Sequence, residues 1–196
     1  MKNIYNKDIS CEKEKLFNDL VMEWNNKINL VSRKKSDVYD LIVESKIFFP
    51  YIERTKCGRL LDLGTGGGFP GIVIAIHFPD TEITLVDSIR KKINAVSDIT
   101  ARLGLKNTHA ICARAEDLAK QHDYRNYFDC VTARSVAPLD ELAKWSRKLL
   151  QPRGKLISLK GGDIDEEACK TMALKFVSEV SIFEHGDRKM VMVAFK

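Results

Sequence analysis

The chain has little of what marks several large protein classes. Its five cysteines, Cys11, Cys57, Cys112, Cys130 and Cys169, lie at least 18 residues apart. That spacing offers no Cys-x-x-Cys pair for zinc or for a redox couple, and they read as free thiols. The longest apolar run is only Ile72 to Ile76, far below the ~20 residues a membrane helix needs. His77, His109, His122 and His185 have no metal-ligand spacing, so no metal site is expected. An odd cysteine count and a hydrophilic start at Met1-Lys2-Asn3 predict a reducing, cytoplasmic location with no membrane attachment. Neither sign of charge dominates. Lysine plus arginine number 32 against 27 acids, a net +5 that permits a polyanionic partner without demanding one.

What is present is a globular composition: 196 residues, 44% apolar, 30% charged and 8% aromatic, enough for one hydrophobic core and too short for two large domains. The periodicity changes near Gly58. Before it, Leu16, Phe17, Leu20, Val21, Trp24 and Ile28 recur at helical spacing, and Val38, Leu41, Ile42, Ser45, Phe48 and Phe49 repeat the pattern, predicting two amphipathic helices. After it, strand-like runs at 59–63, 82–87, 108–112, 128–133 and 155–159 alternate with helical stretches near 71–78, 90–103, 138–150 and 164–175. Such alternation predicts a parallel sheet covered by helices. The tail differs: Val177 to Phe183 and Met190 to Phe195, joined by Glu-His-Gly-Asp-Arg-Lys, predict an antiparallel hairpin at the sheet edge. The expected class is therefore α/β, a Rossmann-like, mostly parallel sheet (58–196) preceded by a small helical cap (1–57).

The strongest chemical signal is Leu60-Leu61-Asp62-Leu63-Gly64-Thr65-Gly66-Gly67-Gly68-Phe69-Pro70-Gly71, a buried-strand run that ends in an acid and then in five glycines over eight positions. Glycines remove the Cβ atoms that would hold a ligand away, and the following helix presents its N-terminus. Pro70 suits a first helical turn. Gly66 to Gly71 also satisfies the G-x-G-x-x-G spacing of dinucleotide turns, and Asp87, 21 residues after Gly66, can accept ribose hydroxyls in an adenine dinucleotide or in S-adenosylmethionine alike. Asp62 separates the two. With Gly64, Gly66 and Gly68 it gives D-x-G-x-G-x-G, the turn of S-adenosylmethionine-dependent methyltransferases, where an acid orients backbone amides or attracts the cofactor's cationic portion but repels a pyrophosphate.

With Trp24-Asn25 and Asn29-Leu30 ahead of this turn, Val86-Asp87-Ser88 after it and Leu159-Lys160-Gly161 late in the chain, the sequence resembles the RsmG (GidB) family of bacterial 16S rRNA guanine-N7 methyltransferases, from about residue 16 to the C-terminus. The resemblance implies S-adenosylmethionine as donor, a guanine in the decoding-region loop as acceptor, and 16S rRNA or the small ribosomal subunit as partner; the sequence leaves the oligomeric state open, with a monomer expected. It places cofactor contacts on Gly64, Phe69, Ala115, Glu116 and Arg134, beside Asp62, Gly66, Gly68 and Asp87. Guanine N7 carries a free lone pair at neutral pH, so no general base is implied. Arg33, Lys160 and Arg188 are candidates to touch RNA or orient the guanine, Arg33 and Arg188 within the short basic clusters Arg33-Lys34-Lys35 and Arg188-Lys189.

One departure is plain. Many members read R-H-x-x-D-S where this chain has Asp40, Leu41, Ile42, Val43, Glu44 and Ser45. Leu41 cannot donate a hydrogen bond or take a proton, and Glu44 reaches further than aspartate. Two other readings stay open at this point: a non-catalytic RNA-binding relative and a dinucleotide-dependent oxidoreductase.

Overall fold

The computed structural model describes residues 12–196; Cys11 and the start at Met1-Lys2-Asn3 lie outside the described residues. Helix α1 (Glu12–Asn25) leads into a loop, then α2 (Tyr39–Ser45), a 3-10 turn (Lys46–Phe48) and α3 (Phe49–Thr55). The second amphipathic segment is thus split. Pro50 has no amide hydrogen to give a helix interior and sits in the first turn of α3, where none is needed.

From Gly58 the chain alternates: β1 (Arg59–Leu63), α4 (Gly71–His77), β2 (Glu82–Asp87), α5 (Arg90–Arg102), β3 (Thr108–Cys112), α6 (Ala115–Leu118), β4 (Phe128–Arg134), α7 (Leu139–Ser146), β5 (Leu150–Gly161) and α8 (Asp165–Met172), then β6 (Val177–His185) and β7 (Arg188–Phe195). The seven strands form one sheet in the order β3-β2-β1-β4-β5-β7-β6. Strands β1 to β5 pair in parallel, and β7 is antiparallel to both β5 and β6. Apolar residues on both faces of β1 and β2 explain their unbroken hydrophobic runs, since helices cover each side.

Several boundaries differ from the sequence reading, and α8 ends at Met172 rather than 175. Helix α7 stops at Ser146 rather than 150, because Leu149 and Leu150 are drawn into the sheet: Leu149 O accepts the Tyr127 and Phe128 amides, and Leu150 pairs with Phe128. Strand β5 accordingly starts five residues early, with a register irregularity between Phe128 and Cys130. The hairpin strands run on to His185 and Arg188, which leaves only Gly186 and Asp187 in the turn; Gly186 takes φ +66°.

The N-terminal elements share a hydrophobic cluster with the sheet. Phe17, Val21, Ile42 and Phe48 pack with Ile72, Ile83 and Ile99. A buried polar contact ties the same layers: Glu14 Oε1 meets Lys46 Nζ at 2.8 Å and His77 Nε2 at 2.7 Å. Among the described residues no helix is long and apolar enough to cross a membrane.

Candidate functional site

Strand order reverses between β1 and β4, each the start of one half of the parallel sheet, and in such folds a crevice opens beyond the strands' C-terminal ends. A cleft of about 500 Å³ occupies that position, within the size range of cofactor sites. The glycine turn forms its floor. Thr65 N–H donates to Val86 O at 2.9 Å, and Gly66 N–H donates to Asp87 Oδ2 at 3.1 Å, which binds the turn to the end of β2. Gly64 is glycine for steric reasons, because a methyl group there would lie 2.6 Å from Val136 Cγ2. Gly66, at φ +57°, faces open space.

Of the residues singled out in the sequence, Gly64, Gly66, Phe69, Asp87, Ala115, Glu116 and Arg134 lie on the cleft wall. Asp62 and Gly68 do not. Asp62 is buried behind the turn, where Oδ2 accepts the Gly71 amide at 3.1 Å and Oδ1 accepts the Thr132 hydroxyl at 2.9 Å. Burial pushes its pKa up against the hydrogen bonds it accepts. Its carboxylate therefore shapes the turn and the start of α4, and a ligand in the cleft meets the glycines instead. Gly68 packs against Ile72 on the same hidden side. Pro70 stands just before α4 rather than inside its first turn.

Asp87 is 8% exposed, and its two oxygens accept the Gly66 and Ile89 amides at 3.1 and 2.9 Å. Lys92 Nζ stands 4.0 Å from Oδ2, and a carboxylate's about four acceptor positions still leave room for a ligand's hydroxyl. Arg134 ends β4 with its guanidinium 5.7 Å from the Phe69 ring centroid, and Phe69 in turn packs on Phe17 of α1 at 5.0 Å. Nη1 of Arg134 donates to Glu44 Oε2 at 2.9 Å. Its Nε is buried with no acceptor among the described residues, a costly arrangement that a ligand oxygen would relieve.

The remaining candidates lie elsewhere. Lys160 is nearly buried and donates to Ala137 O and Glu167 Oε2, both at 2.7 Å. It is not on the cleft wall; it holds the segment between β4 and α7 through Ala137 O. Arg33 sits in the exposed loop after α1, its Nε 2.5 Å from Asn29 Oδ1, and is not on the cleft wall. Arg188 lies beyond the cleft wall, with Nε ion-paired to Glu44 Oε1 at 2.7 Å.

Sequence reasoning missed part of the wall. Leu30 and Val31 reach it because Asn25 Oδ1 accepts both of their amides at 3.0 Å, which gives the Trp24-Asn25 and Asn29-Leu30 motifs a physical purpose. Trp145 is half-buried and lines the cleft. Ile89 and Val136, 48% and 37% exposed, are large apolar side chains facing it, and exposed apolar surface of this kind marks ligand grooves. Among the described residues no group of three or more His, Cys, Asp or Glu could hold a metal ion.

Known proteins agree with this architecture. The fold resembles that of an O-methyltransferase from Bacillus cereus, solved in complex with SAH, at TM-score 0.68 with 17% identity, covering 97% of this chain and 94% of that one. A methyltransferase from Geobacter sulfurreducens superposes at TM-score 0.67 with 11% identity, over 96% and 91% of the two chains. At the sequence level the chain is 41% identical over 158 residues to the ribosomal RNA small subunit methyltransferase G of Chlorobium phaeobacteroides, covering 80% of this chain and 69% of that protein. It is 35% identical over 190 residues to the protein of the same name from Clostridium novyi, covering 92% and 78%. Residues 10–190 match the family described as GidB, rRNA small subunit methyltransferase G. The chain belongs to this family.

Proposed function

We propose that this protein transfers a methyl group from S-adenosylmethionine to N7 of a guanine in the decoding-region loop of 16S rRNA, within the small ribosomal subunit or its free rRNA. The observation that carries the reading is the cleft itself: glycine turn, Asp87 and an unsatisfied Arg134 Nε meet where β1 and β4 end. Family membership supports the acceptor.

When bound, S-adenosylmethionine supplies an electrophilic methyl on a sulfonium sulfur. The protein's share is to bind and align. Gly64 and Gly66 let the backbone approach the cofactor, Asp87 takes its ribose hydroxyls, and Ala115 and Glu116 border its adenine. Arg134 Nε receives an oxygen of its carboxylate. Asp62 and Gly68 keep the turn in shape from behind. Because N7 needs no deprotonation, alignment and charge stabilisation carry the rate. Residues 1–57 act as a cap on the 58–196 core, the protein works as a monomer, and Arg33 contacts RNA from the cap.

The direct test combines purified protein, labelled S-adenosylmethionine and small subunits from cells lacking the modification, followed by mapping of the label. Label at N7 of one guanine is expected. Cofactor binding without label would assign another acceptor or a silent relative, and tight NADH binding in its place would restore the oxidoreductase.

Two predictions arise at the cleft. Arg134→Met, similar in length but without donors, should weaken S-adenosylhomocysteine binding roughly 10- to 100-fold in calorimetry, as for a lost charged hydrogen bond of about 1.5–3 kcal/mol. Decarboxylated S-adenosylmethionine should bind the variant and the wild type alike; an equal loss for both ligands removes the carboxylate from Arg134. Trp145 and Trp24 are the protein's two tryptophans, and Trp24 is tied to Asp98 at 2.8 Å, away from the cleft. Cofactor binding should change the fluorescence of the wild type and of Trp24→Phe, but not of Trp145→Phe.

A further inference from the structure

Three strand ends meet beside the cleft. Arg134 closes β4 and pairs with Leu159; Gly161 closes β5 and pairs with Arg188, the first residue of β7. These ends form one edge of the sheet, with Arg134 on one side, Arg188 on the other and two glycines, Gly161 and Gly162, between them. Glu44, the residue standing where many relatives have aspartate, spans this edge from α2. Its Oε2 takes Arg134 Nη1 and its Oε1 takes Arg188 Nε. The carboxylate is largely buried, at 13% exposure, whereas Arg188 remains 42% exposed.

The two arginines differ in what they have left to give. Arg134, on the cleft wall, keeps a buried Nε without an acceptor among the described residues. Arg188 spends only Nε on Glu44, and its Nη groups have no acceptor among the described residues. Its guanidinium lies across the end of β5: a methyl group on Gly161 would come within 2.8 Å of Arg188 Nη1. Gly162, at φ +71°, has nothing within 4 Å of a Cβ position. A guanidinium held at its base by a buried carboxylate, with a free fork beside a bare backbone, is arranged to take a phosphate.

We infer that Glu44 is a positioning residue that fixes Arg134 and Arg188 as a rigid pair, so that Arg188 grips an RNA phosphate next to the guanine while Arg134 serves the cofactor. This rests on the function proposed above. It makes Glu44 the link between the two substrates, and it makes Gly161 a slot for the Arg188 fork. An aspartate in place of Glu44 has one methylene less with which to span both arginines.

Gly161→Ala tests the slot with little risk to folding, because the atom it meets is the far end of a flexible side chain. The variant should raise KM for small subunits about fivefold, with kcat and S-adenosylhomocysteine affinity nearly unchanged. The slope of log affinity for 16S rRNA against log salt should fall by about one, the mark of one lost phosphate contact. Added to Arg188→Ala, Gly161→Ala should change nothing more. Glu44→Gln, which frees both arginines, should weaken RNA and cofactor together. Unchanged KM and salt slope in Gly161→Ala would overturn the slot. A raised KM at constant slope would move Arg188 from a phosphate to a base, and a Glu44→Gln effect on cofactor alone would break the link. RNA binding without cofactor reads the slope even where no methyl is transferred, so this inference and the proposed activity fail separately.

Discussion

Gly66→Arg should abolish cofactor binding, with affinity falling more than about a hundredfold, or about 2.8 kcal/mol, while the protein stays folded. Two effects add at this position. The backbone is in the left-handed region at φ +57°, where a side chain costs roughly 1–2 kcal/mol. The new side chain also projects into the open space of the cleft and places a cation in the floor, in competition with the cofactor's own cationic sulfonium and amino groups. The first effect alone does not reach the cofactor, and Gly104 provides the control. It has φ +65° with nothing near a Cβ position, in the turn after α5, away from the cleft. Gly104→Arg should show a similar drop in melting temperature, roughly 2–8 °C for a domain of this size, with normal S-adenosylhomocysteine binding. Equal losses of binding in the two variants would trace the effect to stability instead of to the cradle.

The residues behind that prediction show which parts of the molecule are legible in the sequence. Strands β1, β2 and β3 begin and end where the apolar runs do, since each is a local pattern bounded by turn residues. The first half of β5 is not legible: Leu150-Gln-Pro-Arg-Gly reads as a loop by its own composition and becomes strand only by pairing with Phe128 in a distant part of the chain. The site divides in the same way. The turn, Asp87 and Arg134 stand out locally, as glycines, an acid and an arginine at strand ends. The direction in which Asp62 points is decided by Thr132 on the neighbouring strand, and Lys160 is claimed by Glu167 on α8. Trp145 lies on α7 and differs from a core residue only in that part of it faces the cleft. Glu44 is visible as a departure from a motif, yet its meaning lies in two arginines that only the folded sheet brings to it.

The buried contact that ties α1 to the 3-10 turn and to α4 leads to the other large effect. Glu14→Ala should cost about 3–5 kcal/mol in chemical denaturation, the range for removing one partner of a buried ion pair. Glu14 has no exposed surface, and Lys46, 7% exposed, loses the carboxylate that offsets its desolvation. Against a typical total of 5–15 kcal/mol the loss is severe. Glu23 makes a contrasting control. It also joins α1 to α5, through Arg102 at 2.8 Å, but both side chains are more than 40% exposed, so Glu23→Ala should barely move the midpoint. The pH dependence has a definite sign. Burial pushes the Glu14 carboxyl up, and the hydrogen bonds and charges of His77 and Lys46 overbalance it, leaving its pKa below the ordinary value. The stabilisation is present above the unfolded carboxylate's pKa of about 4.3 and is lost as pH falls through the lower folded value. Wild type and Glu14→Ala should therefore differ most near neutrality and converge in acid, as urea midpoints across the acid range would record. A gap that stayed constant with pH would make Glu14 a packing residue and leave α1 held by its apolar face alone.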